Sequence, residues 1–413
     1  MDAIRVIGGS PLNGTVRIHG AKNAALPLLA ATAAIRGSFV LQNCPEILDI
    51  EITRKILDVL NIQTRRAGDA LLVDSTRMQY AAIPRVLACR LRASVLFLGA
   101  LTAAWEKAEV PYPGGDCFGS RPIDYHVQAL HALGVSAQAE EDAVFAEGRP
   151  QSATVELPFP SVGATENALL AALGADGPVR IIGAAREPEI GCLCAFLSAC
   201  GAKVRGVGTS CLTVTTGELH GAAFPILPDR IEAATYLCAA AATGGHLTLT
   251  GARAAHIRPL LDALQSAGCE IAEARGALTI EARPLHAIPP VVTAPYPGFP
   301  TDIQPLLTAA LLRADGVTVV EERVFRGRYR HIPALRAMGA DLETAGQILR
   351  IRGVGHLHGT EAEATDLRGG AAMLIAALSA EGRSRIGAAQ ILERGYEALI
   401  PNLQAIGADV SEA

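Results

Sequence analysis

Lysine is scarce in this chain: Lys22, Lys55, Lys107 and Lys203 stand against 32 arginines. An ammonium kept in Gly20-Ala21-Lys22-Asn23 therefore hints at chemistry that a bulkier, planar guanidinium would serve less well. Cations recur at the expected starts of apolar helices, at Lys22, Arg92, Arg230 and Arg368, where the helix dipole disfavours them. Four such residues in register point to a shared anion site; the blander reading pairs each with a loop carboxylate. A glycine-rich stretch runs Gly114-Gly115-Asp116-Cys117-Phe118-Gly119-Ser120-Arg121-Pro122-Ile123-Asp124-Tyr125-His126. It carries an acid and a cation between glycine hinges, as a mobile catalytic loop would, although Arg121-Pro122 also reads as a plain turn with Pro at helix N1. Other loops set charge beside proline or glycine: Arg186-Glu187-Pro188-Glu189, Phe299-Pro300-Thr301-Asp302, Phe325-Arg326-Gly327-Arg328, Thr365-Asp366-Leu367-Arg368 and Glu393-Arg394-Gly395-Tyr396.

The elements that must position these residues repeat. A short apolar helix end followed by Gly, or by Asn in the first copy, occurs at Asn61, Gly134, Gly201, Gly268, Gly339 and Gly407, with spacings of 73, 67, 67, 71 and 68 residues. Gly and Asn are the residues that best adopt the left-handed C′ position after a helix. A second helix recurs with the same period, rich in Ala and apolar nearly all round, and so expected to be buried. Its starts are expected near Lys22, Arg92, Thr165, Arg230, Asp302 and Arg368. β-like runs follow, among them Phe39-Val40-Leu41, Val179-Arg180-Ile181-Ile182 and Leu247-Thr248-Leu249. Six such units fill the chain, which predicts an α/β fold of two similar domains with three repeats each.

Composition narrows the function. The 413 residues are 50% hydrophobic and 19% charged with a net charge of −5, enough for a sizeable core and against a general nucleic-acid or membrane-surface binder. The apolar stretches Ala24 to Ile35 and Ala93 to Trp105 fall short of the roughly 18 residues of a membrane span. The start, Met1-Asp2-Ala3-Ile4-Arg5-Val6-Ile7, alternates like a strand and lacks a signal-peptide pattern. Nine cysteines without a CxxC fit free thiols in a reducing, cytoplasmic setting. Cys192, Cys194 and Cys200 read as packing residues, because no spacing completes a four-ligand metal site. His356 and His358 read as polar groups of a strand-turn, and P-loop and dinucleotide patterns are missing.

Taken in order, these motifs resemble the UDP-N-acetylglucosamine 1-carboxyvinyltransferase family along the whole chain. The matching pieces are Gly20-Ala21-Lys22-Asn23-Ala24, Arg92-Ala93-Ser94-Val95, Arg121-Pro122-Ile123-Asp124, Ser161-Val162-Gly163-Ala164-Thr165 and Arg186-Glu187-Pro188. Further along come Asp229-Arg230-Ile231-Glu232, Phe299-Pro300-Thr301-Asp302, Asp366-Leu367-Arg368 and Arg394-Gly395-Tyr396-Glu397. The resemblance implies the inside-out α/β barrel fold of enolpyruvyl transferases. Residues 22–229 would form one domain, with a mobile loop at 112–121, and 1–21 with 230–413 the other. It also implies transfer of the enolpyruvyl group of phosphoenolpyruvate to the 3′-hydroxyl of UDP-N-acetylglucosamine, by addition and elimination, without metal or organic cofactor. This is the first committed step of peptidoglycan synthesis. The lysine-serine motif of shikimate-phosphate transferases is not seen near the N-terminus.

Residue by residue, Lys22, Arg121 and Arg394 match the family's phosphoenolpyruvate contacts, and Arg92, Arg328 and Arg368 its further cleft cations. Asn23 matches the residue between the substrates, and Asp302 the carboxylate nearest the attacking hydroxyl, a natural general base. Arg121, Pro122, Ile123, Asp124, Tyr125, Ser161, Val162 and Val324 match the nucleotide-sugar contacts. Asp116 stands where most members carry a cysteine that donates a proton to the methylene carbon, with Cys117 next to it. That replacement implies resistance to fosfomycin, which alkylates the loop thiol. Phe159-Pro160 precedes Ser161 where a lysine is common. Two alternatives stay open: a paralogue acting on another uridine nucleotide, and a non-catalytic nucleotide-sugar sensor. Oligomeric state is left open.

Overall fold

A computed structural model describes residues 1–115 and 123–413. The six repeat junctions all turn into the left-handed region, with φ of 56° at Asn61, 77° at Gly134, 101° at Gly201, 111° at Gly268, 93° at Gly339 and 96° at Gly407. Each lies between a helix and a strand. The helices are Leu48–Val59, Asp124–Ala132, Pro188–Ala199, Arg258–Ser266, Ile332–Ala337 and Leu399–Ala405. The strands are Gln63–Ala67, Ser136–Ala139, Lys203–Arg205, Glu270–Ala274, Asp341–Ala345 and Asp409–Glu412.

The buried helices are Lys22–Thr32, Leu96–Trp105, Val162–Ala171, Arg230–Thr243, Gln304–Ala310 and Leu367–Ser379. Three expected starts move. Arg92 opens a 3-10 turn, Arg92–Val95, that runs into the helix at Leu96. Val162 rather than Thr165 begins the third helix, because the Ser161 hydroxyl accepts the Ala164 N–H at 3.3 Å as an N-cap. Asp302 lies just ahead of its helix, whose first residue is Gln304.

The chain divides into two compact units. One contains Met1–His19 with Pro228–Ala413, and the other Gly20–Gly115 with Ile123–Leu227 among the described residues. Among the described residues, three sheets form in each. Five of the six share one order, an edge strand parallel to the strand after the buried helix and then two antiparallel strands, which form a hairpin in four of the five. In the first unit the N-terminal segment completes two repeats. Ala3–Ile7 pairs antiparallel with Arg383–Gly387 and Asp409–Glu412, while Asn13–Arg17 pairs parallel with His246–Thr250. Strand hydrogen bonds thus tie the beginning of the chain to its C-terminal half.

Each unit has its own apolar core. In the first, the helices starting at Arg230, Gln304 and Leu367 pack on one another. In the second, the Leu96 helix packs on the Val162 helix so closely that a Cβ on Gly99 would sit 2.4 Å from the backbone oxygen of Asn167. Alanine and glycine on both surfaces permit that approach. No helix among the described residues is long and apolar enough to cross a membrane.

The repeat junctions give a direct test. At Gly407 an added Cβ meets nothing within 4 Å, so Gly407→Ala isolates the backbone term. Left-handed geometry should lower stability by about 1–2 kcal/mol, read as a lower urea midpoint; an unchanged midpoint would mean that the junction relaxes freely.

Candidate active site

Lys22 is the first residue of its helix, and Ala21 before it supplies no side-chain cap. Burial and the helix dipole both work against an ammonium there. Asp49, 1% exposed on the neighbouring Leu48–Val59 helix, answers with an ion pair of 3.1 Å to Lys22 Nζ. Asn23 follows on the same helix, half-buried. Arg92 is half-buried at the start of its 3-10 turn. Ile123 is buried as the N-cap residue of the Asp124–Ala132 helix, with Asp124 exposed and Tyr125 packed partly against the core. Ser161 caps the next buried helix, and Val162 begins it. Asp116, Arg121 and Pro122 lie outside the described residues, as does Cys117.

The other unit assembles three of the expected residues into one network. Arg328, with no exposed surface, donates from Nη2 to Asp302 Oδ1 at 2.9 Å. Arg368 Nε lies 3.7 Å from Asp302 Oδ2. The Asp302 side chain stays 31% exposed, so one carboxylate is gripped by two nearly buried guanidiniums yet still reaches solvent. Arg368 also donates from Nη1 to the Tyr396 hydroxyl at 3.3 Å, and that oxygen lies 2.9 Å from Thr235 Oγ1. Both guanidiniums favour the ionised form of Asp302. Arg394 is half-buried at the end of the 3-10 segment Ala389–Arg394.

Val324 is placed by a residue that sequence reasoning missed. Buried Glu322 accepts from Thr293 Oγ1 at 2.9 Å, from the Val324 N–H at 2.8 Å and from the Phe325 N–H at 2.9 Å through Oε1. Its Oε2 accepts from Thr301 Oγ1, next to Asp302, at 2.9 Å. Glu322 was legible in principle: Thr318, Val320 and Glu322 share the buried face of one alternation. Asp49 left a similar trace, with Thr53 and Ile56 on the buried face of its helix.

At two of the helix starts the backbone N–H groups are taken by the chain's own carboxylates. The helix at Arg230 is capped by Asp229, whose Oδ1 accepts the Ile231 and Glu232 N–H groups at 2.7 and 3.2 Å. Asp366 takes the Arg368 and Gly369 N–H groups at 3.1 and 2.9 Å in the same way. The chain's own carboxylates occupy these dipole ends, and the cations there act through their side chains. Glu189 is buried in the first turn of the Pro188–Ala199 helix.

Repeat, sheet order and a carboxylate held by arginines define an enolpyruvyl transferase fold. The family model for EPSP synthase (3-phosphoshikimate 1-carboxyvinyltransferase) matches residues 6–403, and the chain belongs to this family. A UDP-N-acetylglucosamine 1-carboxyvinyltransferase 2 from Caldanaerobacter subterraneus subsp. tengcongensis is 41% identical over 414 residues, covering 99% of both chains. The UDP-N-acetylglucosamine 1-carboxyvinyltransferase of Zymomonas mobilis is 41% identical over 422 residues, again with 99% of both covered. Among solved structures, the enolpyruvyl transferase NikO from Streptomyces tendae superposes with a TM-score of 0.89 at 25% identity, over 99% of this chain and 98% of that one. An EPSP synthase from Acinetobacter baumannii shares the fold at a TM-score of 0.77 and 18% identity, with both chains fully covered.

Glu322→Ala would orphan several donors, each worth about 1–3 kcal/mol when left buried and unmade. Steady-state assays should show kcat/KM for enolpyruvyl transfer falling at least about tenfold, with Glu322→Gln, which keeps an acceptor, milder. Equal and small effects from both would remove Glu322 from the placement of Val324.

Proposed function

We propose that this protein transfers the enolpyruvyl group of phosphoenolpyruvate to the 3′-hydroxyl of UDP-N-acetylglucosamine and releases phosphate. The observation that carries this reading is the 41% identity, end to end, with relatives bearing that activity in their names. In this role the reaction opens peptidoglycan synthesis, and a cytoplasmic location goes with two phosphorylated substrates.

The chemistry is an addition followed by an elimination. Asp116 gives a proton to the methylene carbon of phosphoenolpyruvate, and the central carbon becomes electron-poor. The 3′-oxygen then bonds to that carbon while Asp302 takes the hydroxyl proton. A base held by two arginines is weak, but the hydroxyl turns acidic as its oxygen bonds an electron-poor carbon, so a weak base suffices. In the second stage the carbon–oxygen bond to phosphate breaks, phosphate leaves with the bonding electrons and takes up the proton held by Asp302, and the new methyl group returns a proton to the Asp116 carboxylate. Lys22 and Arg394 meet the anionic groups of phosphoenolpyruvate, where charge-assisted contacts are strongest. Asp49 holds the Lys22 ammonium in a buried ion pair, and a lysine left there alone would be costly.

Phosphate release with a panel of uridine nucleotides and UDP-sugars tests the acceptor: turnover should be fastest with UDP-N-acetylglucosamine. Preference for another uridine nucleotide would move the protein to a paralogous activity, and no turnover with any would make it a sensor. Asp302→Asn should keep nucleotide-sugar affinity in calorimetry and lose about a hundredfold or more in kcat; near-normal turnover would exclude the base role.

Asp116 supplies a separate test, because a carboxylate is a poor nucleophile toward an epoxide. Fosfomycin with UDP-N-acetylglucosamine should leave the wild-type mass unchanged and add one adduct to Asp116→Cys. A wild-type adduct on Cys117 would transfer the acid role to that residue. The ordinary values of Asp near 3.9 and Cys near 8.5 also predict that the Cys variant works in a window displaced to higher pH.

A further inference from the structure

His126 lies where three of the matched segments converge, and nothing in the proposed mechanism uses it. It sits in the first turn of the Asp124–Ala132 helix, its N–H bonded to the Ile123 carbonyl at 3.0 Å, and its side chain is almost wholly buried. Nδ1 is 3.1 Å from Asn167 Nδ2, on the buried helix that Ser161 and Val162 begin. Asn167 Oδ1 accepts the Gly99 N–H at 2.6 Å, which fixes the orientation of the amide. The amide NH2 therefore faces the imidazole and can only donate. Nδ1 must accept, and the ring proton resides on Nε2.

The ring also lies against Gly163, in the first turn of the helix Val162–Ala171. A Cβ on Gly163 would stand 3.2 Å from His126 Cε1 and 3.4 Å from Nε2, so the glycine leaves the space that the imidazole fills. Burial, and after it the charge of Arg92, push the imidazole down to about 3, so it stays neutral through the working pH range. One uncharged side chain thus bonds to one nucleotide-matched segment's helix, belongs to the other, and feels the Arg92 cation.

We propose that His126 is a positioning residue for the nucleotide-sugar, locking the start of the Asp124–Ala132 helix to the start of the Val162–Ala171 helix. Ile123, Asp124 and Tyr125 are thereby held in register with Ser161 and Val162. The assignment rests on the acceptor reading given above. It makes His126 an acceptor-bearing wedge rather than an acid or base, since its accepting nitrogen is committed to Asn167.

The test is steady-state kinetics of full-length wild type, His126→Ala and His126→Asn with both substrates, over a range from about pH 6 to about pH 9 around the ordinary histidine value. Losing the wedge and its hydrogen bond should raise KM for UDP-N-acetylglucosamine about tenfold or more in His126→Ala. KM for phosphoenolpyruvate and the saturated kcat should change much less. His126→Asn, which returns an acceptor near the place of Nδ1, should recover part of the nucleotide-sugar KM, and the pH profile should keep its limbs in all three proteins. The proposal is overturned if both KM values rise together, if Asn and Ala behave alike, or if a pH limb disappears with the histidine. Wild-type protein that uses no uridine nucleotide would instead defeat the functional reading itself, and this assignment with it.

Discussion

A cation at the start of a buried, alanine-rich helix has to be neutralised by something the fold brings to it. The dipole of the helix repels it, and the surrounding alanine and leucine offer no solvation. This chain answers with carboxylates from neighbouring elements: Asp49 reaches Lys22, and Asp302 lies between Arg328 and Arg368. The backbone N–H groups at two of these helix starts are taken separately, by Asp229 and Asp366. Removing one partner of such a buried pair strands the other charge, so each pair couples site geometry to folding.

The repeats explain why those pairs form where they do. Each repeat follows its buried helix with a strand, and the partners come from what lies beyond it: Asp49 from the helix Leu48–Val59, and Arg328 from the 3-10 turn Arg328–His331. Small residues let the helices approach, as at Gly99 against Asn167. Closure of the sheets by Ala3–Ile7 and Asn13–Arg17 anchors the first residues of the chain to elements some 230 or more positions later. Long-range strand pairing of this kind commits the fold late, because distant segments must meet before their hydrogen bonds count.

Much of this was legible in the sequence, for physical reasons that can be named. The left-handed turn after each outer helix admits few residue types, so Asn61 and the five glycines marked the period. All-round apolarity marked the buried helices. Their starts were less visible, since a 3-10 turn at Arg92 and a serine cap at Ser161 shift the boundary without changing the hydrophobic pattern. Asp49 and Glu322 were harder still. Each is a carboxylate in a buried-face position, and only the three-dimensional neighbours reveal whether such a residue is paired. The N-terminal strand was legible as a strand from its alternation, but its partners at Arg383–Gly387 and Asp409–Glu412 were not, because alternation carries no information about distant pairing. The roles of Asp116, Arg121 and Pro122 rest on the family resemblance.

The central claim is an addition–elimination on phosphoenolpyruvate in which the methylene carbon is protonated and later gives a proton back. Running the reaction in deuterium oxide with carbon-13-labelled phosphoenolpyruvate and UDP-N-acetylglucosamine reads that step by NMR and mass spectrometry. The account predicts a vinyl ether on the sugar, with deuterium in its methylene group. A vinyl ether free of deuterium, or pyruvate and phosphate with no sugar adduct, would contradict it.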